Sequence, residues 1–358
     1  MRGYEALVAK CRCLCGKLLG AKDYENLLHC SEVSDVAAYL FENTAYRDFF
    51  GSSDLKKINR NKLEYFIKKS LLSDYIKLFR FTCGGERHFI NLLMAKYELE
   101  YILKVWREYV WRNMENNPVQ KESDDYVLSE GILEIQAIYK DNPKIDLEAL
   151  KNISTAGQFM AAIKNSDFFY IFEKHINDDI SKNYTVIEAA VYDEYYKILY
   201  DGAKIFEKRT RDKIRGFIGV LADLTSLNRI SRQRFNFKAE PAEIIPLLVP
   251  LKNKLKERDI EELLKCEDRE SFMAYCEANL WYGKKQSFCE YERMGAYMNA
   301  FMYKYFKSIS DPSFSGFETV VRYFQLKEFE IMNLFYLTEG IRYKMPPDYI
   351  RKNIYGMF

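Results

Sequence analysis

Two stretches of this chain nearly repeat each other. Residues 23–30 read DYENLLHC and residues 259–266 read DIEELLKC. With the offset held at 236, residues 23–46 and 259–282 agree at nine of 24 positions. These are Asp23/Asp259, Glu25/Glu261, Leu27/Leu263, Leu28/Leu264, Cys30/Cys266, Ala38/Ala274, Tyr39/Tyr275, Asn43/Asn279 and Tyr46/Tyr282. A weaker copy lies between them at an offset of 123: Asp146, Glu148, Leu150 and Ala161, with Phe169 standing where the others have Tyr46 and Tyr282. A repeat of this length restricts the chain to architectures made by stacking or closing copies of one unit.

A second phrase recurs near the end of each copy. It reads ELEYI at Glu98–Ile102, DLTSL at Asp223–Leu227 and EIMNL at Glu330–Leu334. Its acids follow Asp23, Asp146 and Asp259 by 75, 77 and 71 residues. Two landmarks at nearly constant separation, three times over, predict three similar helical modules: 1–117, 118–240 and 241–358. Each should hold two shorter helices and then two longer ones, the last carrying the second phrase.

The fold class read from the pattern is all-α. In IRGFIGVLADLTSLNRI, Ile214, Phe217, Ile218, Leu221, Leu224 and Leu227 recur every three or four residues, one face of a helix. Val320, Phe324, Ile331, Leu334 and Phe335 do the same later on. No series of alternating strands or hairpin turns accompanies them. The polar stretch 112–125 and the proline-bearing stretch 236–250 fall where module boundaries belong, and FGSSD, TCGGERH and SDPSFSG read as loops. Three modules can close around a pseudo-threefold axis or stack as an open superhelix, and the sequence leaves both open.

Little in the chain points to bond-making chemistry. His29, His88 and His175 form no metal-ligand spacing. No phosphate loop, dinucleotide fingerprint or nucleophile elbow is present. Cys11, Cys13 and Cys15 lack the C-x-x-C spacing of zinc sites and read as thiols on a packed helix. No catalytic residue, cofactor or metal is expected. A net charge of +2 argues against a general nucleic-acid binder. The absence of a long apolar run and of a signal-like N-terminus predicts a cytosolic protein with reduced cysteines.

Two sets of residues are candidates for contact. The first is the second phrase itself: Glu98, Asp223 and Glu330, with Asn333. These acids are expected to fix helices inside a module or to touch a partner. The second is a basic excess between Lys204 and Lys238, ten bases against three acids. Its candidate partner-binding residues are Lys208, Arg209, Arg211, Lys213, Arg215, Arg232 and Arg234. Such an excess in a near-neutral chain steers an acidic partner, and its bland alternative is a solvated helix pair.

The three-module layout resembles the C-type subunit of rotary V/A-type ATPases, known as the d-type subunit in eukaryotic enzymes. The opening YEALVAKCRCLCGKLL is similar to that family's start, with a Tyr, the basic pair Lys10 and Arg12, and then Leu18 and Leu19. DYENLLHC followed by ENTAY resembles the next segment. The phrase LKEFEIMNLFYLTEGIRYKMPPDYIRKNI resembles the closing one, in which Glu330, Asn333 and Leu334 form an acid-x-x-Asn-Leu core. Tyr101 and Ser226 stand where the other two copies would carry that Asn. The likeness runs from Tyr4 to Ile354. It implies a non-catalytic funnel of pseudo-threefold symmetry. That funnel sits between central-stalk subunits and the membrane rotor ring, in the cytoplasm and peripheral to the membrane, during proton or sodium transport. The rival reading is a free-standing helical adaptor that binds proteins or peptides.

Overall fold

The computed structural model describes residues 4–114, 144–176, 184–291, 293–308 and 316–355. Among them the regular structure is helical, with no strand. The first copy holds α1 (Glu5–Cys15), α2 (Ala21–Leu28), α3 (Val33–Asn43), α4 (Arg47–Phe50), α5 (Arg60–Phe79) and α6 (Gly84–Met114). Then come α7 (Leu147–Lys151), α8 (Ala156–Ala162), α9 (Phe169–His175), α10 (Tyr184–Gly202) and α11 (Lys208–Asn236). The last stretch holds α12 (Pro241–Ile244), α13 (Glu257–Lys265), α14 (Arg269–Asn279), α15 (Met294–Ser308), α16 (Glu318–Arg342) and α17 (Pro347–Lys352). Short helices precede long ones in each stretch. Glu98, Asp223 and Glu330 lie on the long helices α6, α11 and α16. The boundary at 117/118 and most of the 112–125 and 310–316 stretches lie outside the described residues.

The described residues divide into two compact units. One takes 4–90 with 303–355, the other 91–114 with 144–302, and the division falls inside α6 and α15. In the first unit α16 packs on α1 and α5. Val320, Phe324, Leu334 and Leu337 are buried there, as the periodicity requires. Phe335 is only half-buried, and the Lys68 ammonium lies 5.3 Å from its ring centre. Helix α17 folds back on α16 where Gly340 leaves room. A Cβ at that position would stand 2.7 Å from Ile350 Cδ1, so a larger residue would require the Ile350 side chain to move. In the second unit Trp106 is fully buried against Phe159 and Phe172, at ring separations of 4.8 and 6.1 Å.

The shared residues of the repeat have local work in common. The Asp23 carboxylate accepts from Gly20 N–H at the start of α2, and Asp259 accepts from Lys256 N–H at the start of α13. The hydroxyls of Tyr39 and Tyr275 donate to those same carboxylates at 2.9 and 3.2 Å. Asn43 and Asn279 each donate to the carbonyl of that tyrosine, at 3.2 and 3.1 Å, closing the ends of α3 and α14. Asp146 caps α7 by accepting from Ala149 N–H.

Two punctuated stretches take definite shapes. In 236–250 no long helix forms: Pro241 starts the short α12 at a position where its missing N–H costs nothing, and Ile245–Leu247 continue as a 3-10 turn. TCGGERH is a loop only at its start, because α6 begins at Gly84, whose φ of 54° suits glycine. Among the described residues no helix is long and apolar enough to cross a membrane.

Candidate functional site

The three repeated acids lie on the long helices, and each accepts a hydrogen bond from chain distant in sequence: Glu98 from Ser166, Asp223 from the 253–255 segment and Tyr282, Glu330 from Leu19 and Tyr46. Asp223, 1 % exposed, projects from α11 toward the chain leading into α13. Its Oδ1 accepts from Asn253 N–H at 3.0 Å. Its Oδ2 accepts from Lys254 N–H at 2.6 Å, Leu255 N–H at 3.0 Å and the Tyr282 hydroxyl at 2.6 Å. Burial pushes this carboxyl above its usual range, while the Tyr282 hydroxyl and the three N–H groups pull it back.

Glu330 occupies the same register on α16 and reaches back to the start of the chain. Its Oε2 accepts from Leu19 N–H at 2.5 Å, and its Oε1 from the Tyr46 hydroxyl at 2.7 Å. Leu19 and Leu255 are separated by the same 236 residues as the landmarks, and so are Tyr46 and Tyr282. Lys327, one turn before Glu330, donates to Oε1 at 2.6 Å and to the Tyr46 oxygen at 2.9 Å. Both members of this ion pair are buried, so each depends on the other for compensation. Burial and the Glu330 charge hold the Tyr46 phenol well above its usual range, which keeps it a donor. A cavity of about 20 Å³, room for one water, opens beside Tyr46 and Lys327 and is also lined by Asp74 and Lys77.

Glu98 is the least satisfied of the three. It is half-buried on α6, and the Ser166 hydroxyl donates to its Oε1 at 2.9 Å. Ser166 holds the turn before α9 by accepting from Phe168 N–H at 3.3 Å, as Thr44 holds the turn before α4 by accepting from Tyr46 N–H at 3.2 Å. The counterpart of Tyr46 is therefore the buried Phe168 and not the half-buried Phe169 of the sequence alignment. Phenylalanine brings no hydroxyl, and Ser166 supplies one instead. Burial pushes the Glu98 carboxyl up to about 7; the Ser166 bond and the Lys144 ammonium oppose that push, and Asp167 adds to it. Lys144 is itself ion-paired with Asp167.

The position three residues after Glu330 and after Asp223 holds backbone that comes later in the chain. Asn333 donates to Tyr355 C=O at 2.8 Å and accepts from Tyr355 N–H at 2.9 Å. It also donates to the buried Tyr24 hydroxyl at 3.3 Å. Ser226 accepts from Val249 N–H at 3.1 Å. An amide and a hydroxyl thus do one job, holding backbone 22 or 23 residues further on.

The seven basic candidates all lie on α11, but helix geometry divides them. Lys208, Arg209, Arg211, Lys213 and Arg215 sit at its start, Arg232 and Arg234 near its end. From Arg215 to Arg232 the axis rises about 25 Å. Several are engaged locally. Arg215 donates to Tyr200 C=O at 3.0 Å and stacks over that ring at 4.4 Å. Arg211 pairs with Asp212 at 3.7 Å, and Arg234 contacts Ala239 C=O at 3.5 Å. Lys208, Arg209 and Arg232 are exposed. Arg229, in the same stretch, is structural: it donates to Asp193 and to Leu247 C=O, each at 2.6 Å.

Cys11 is buried, Cys13 exposed and Cys15 half-buried, as one helix face predicts. The Arg322 guanidinium donates to Cys15 Sγ at 3.8 Å. Burial is the main cause that pushes both the Cys11 and Cys15 thiols up, away from reactivity. Among the described residues no three His, Cys, Asp or Glu gather where a metal ion could be held.

Sequence reasoning found the acids because they recur. It missed Lys327, Leu19 and Ser166. Tyr46 and Tyr282 carried a usable signal, since they close the first landmark in both copies. Compared with known families, residues 7–353 match the model described as ATP synthase (C/AC39) subunit. No curated protein matches the chain.

Proposed function

The chain belongs to the ATP synthase (C/AC39) subunit family, and from that premise we propose that it is the non-catalytic coupling piece on the central axis of a V/A-type rotary ATPase. It joins central-stalk subunits to the membrane rotor ring while protons or sodium ions move. Segments 1–117, 118–240 and 241–358 close into a pseudo-threefold funnel on the cytoplasmic side, held at the membrane through the ring.

The observation that carries this reading is the bond from the last acid back to the first segment. In an open stack the final long helix has no following module, and its acid meets solvent. Here Leu19 and Tyr46 meet Glu330 as Leu255 and Tyr282 meet Asp223. A closed set suits a part that transmits torque. Compliance would store work as strain, and packed interiors with satisfied polar joints resist deformation.

The exposed bases at the start of α11 supply a candidate contact for an acidic partner, with Arg209 and Lys208 at its centre. Purification of the native assembly through a tag on this chain tests the whole reading. Stalk, ring and catalytic subunits should accompany it. Recovery of unrelated proteins without any of these would favour the adaptor. Reversing Arg209, Arg211 and Arg215 to Glu should reduce the recovered stalk or ring, and full recovery by a folded variant would remove that contact from the proposal.

A further inference from the structure

The joint at Asp223 has a neighbour that the joint at Glu330 lacks. Residues 250–257 and 280–286 hold five lysines, Lys252, Lys254, Lys256, Lys284 and Lys285, against one acid, Glu257. All five lysines are exposed, in a chain whose net charge is only +2. Glu257 pairs with Lys252 at 2.7 Å, and the other lysines have no ion pair among the described residues. Between the two segments stands Trp281, half-buried, with the Lys254 ammonium 5.9 Å and the Lys285 ammonium 5.7 Å from its ring centre. A ring face attracts an ammonium but does not cancel its charge.

The scaffold beneath is fixed. The N–H groups of Asn253, Lys254 and Leu255 and the hydroxyl of Tyr282 all end on the buried Asp223 carboxylate. Lys285 N–H donates to Tyr282 C=O at 3.0 Å. The segment that carries Lys254 and the turn that carries Trp281 and Lys285 are thus tied to one anchor. Trp281 also packs edge-on against Tyr282 and Phe301, at ring separations of 5.2 and 6.0 Å.

The repeat supplies the contrast. In the first copy the places of the five lysines are taken by Gly16, Leu18, Gly20, Asp48 and Phe49, and Ala45 stands at the place of Trp281. The joint itself is kept there, through Leu19, Tyr46 and Glu330. Holding a joint together therefore calls for neither the lysines nor the indole.

We propose that Lys254, Lys285 and Trp281, with Lys252, Lys256 and Lys284 around them, form a binding site for phosphate groups. This goes beyond the functional reading above and does not depend on it. A phosphate group concentrates about two negative charges and three acceptor oxygens in one small body. Lysine meets such a group as a compact point charge with three donors. A carboxylate brings one charge, and the planar fork of arginine suits it best, yet none of the five bases is arginine. Ammoniums already placed by a ring and a pinned backbone lose little freedom when a ligand arrives. The group can come on a soluble polyphosphate or on an anionic phospholipid headgroup, since both present the same chemistry to the lysines.

Two arms separate those sources, both with the purified full chain at about 0.15 M salt. One is calorimetric titration with tripolyphosphate. The other is sedimentation with vesicles of phosphatidylglycerol, set against vesicles of phosphatidylcholine. At least one arm should show binding, and more salt should weaken it. K254Q and K285Q should each weaken it by about fivefold, and the double variant should abolish it. Both substitutions keep the backbone N–H groups, so the melting temperature should stay that of the wild type. K164Q/K174Q removes two exposed lysines elsewhere in the sequence and should bind within about twofold of the wild type. Three results would each overturn the site: no binding in either arm, an equal loss in K164Q/K174Q, or capture of polyglutamate as tight as that of the phosphate ligand. The last would assign the patch to an acidic protein instead.

Discussion

The Glu330 and Glu98 joints sit at the same register of the same phrase and are built to different standards. Glu330 is matched by a backbone N–H, a tyrosine hydroxyl and a buried lysine. Glu98 has the hydroxyl of Ser166 as its direct donor, with the Lys144 charge nearby and partly spent on Asp167. Asp223 stands with Glu330, taking four donors and, among the described residues, no ion pair. A buried carboxylate can thus be compensated by dipoles or by an ion pair, and the repeat uses both. The difference traces to one residue. Where Tyr46 and Tyr282 reach their acids, Phe168 occupies the matching turn without a hydroxyl.

The largest expected effect follows from breaking the well-satisfied joints. Glu330→Gln leaves the Lys327 ammonium buried against a neutral amide, and Asp223→Ala leaves three N–H groups and a phenol without their acceptor. Each should cost about 3–5 kcal/mol of unfolding free energy, measured by urea denaturation of the purified chain. Glu98→Gln at mildly alkaline pH should leave the chain at least as stable as the wild type. Equal losses in all three would erase the distinction between the joints.

A smaller effect isolates the hydroxyls. Tyr46→Phe and Tyr282→Phe each remove a hydrogen bond to a buried carboxylate, an expected loss of about 1.5–3 kcal/mol. Ser166→Ala should cost about 1 kcal/mol, as the acid it serves is less buried. Adding Phe168→Tyr to Ser166→Ala should restore most of that loss if the turn places this ring as Tyr46 and Tyr282 are placed. A double variant no more stable than Ser166→Ala would mean that the ring, and not only its hydroxyl, is set differently.

How much of this was legible beforehand depended on distance along the chain. The periodic helices were legible because a buried face repeats locally, as at Ile214, Phe217 and Leu224. The first landmark was legible because Asp23, Tyr39 and Asn43 serve one another within a few turns, so one local pattern fixes their types in both copies. The acids stood out only by recurring. Their partners did not, because Leu19 lies 311 residues from Glu330 and donates through its backbone, which any residue but proline can do. Phe168 was missed by one position because the landmark was slid rigidly along the chain, whereas the turn before α9 is shorter by a residue. The basic stretch was counted along the sequence, and a helix of 29 residues spreads what the count had gathered.

The last effect is the one whose sign differs between the joints. Burial holds the Glu98 carboxyl at about 7, against 4.5 for an unperturbed glutamate. Between those values the folded chain binds this proton and the unfolded chain releases it. The term is therefore most favourable below about 4.5, is lost as pH rises toward about 7, and is flat beyond. A glutamine at 98 does not titrate and keeps a hydrogen-bonding oxygen for Ser166. The stability of Glu98→Gln relative to the wild type should then climb across this window, ending at or above zero. Glu330→Gln should stay destabilising throughout, because its loss comes from stranding Lys327, whose charge the substitution does not remove. Urea unfolding of both variants across the window reads the two slopes directly. A flat difference for Glu98→Gln would show that Lys144 neutralises this acid as fully as Lys327 does Glu330, and the two joints would then differ in the identity of their donors but not in how completely they are satisfied.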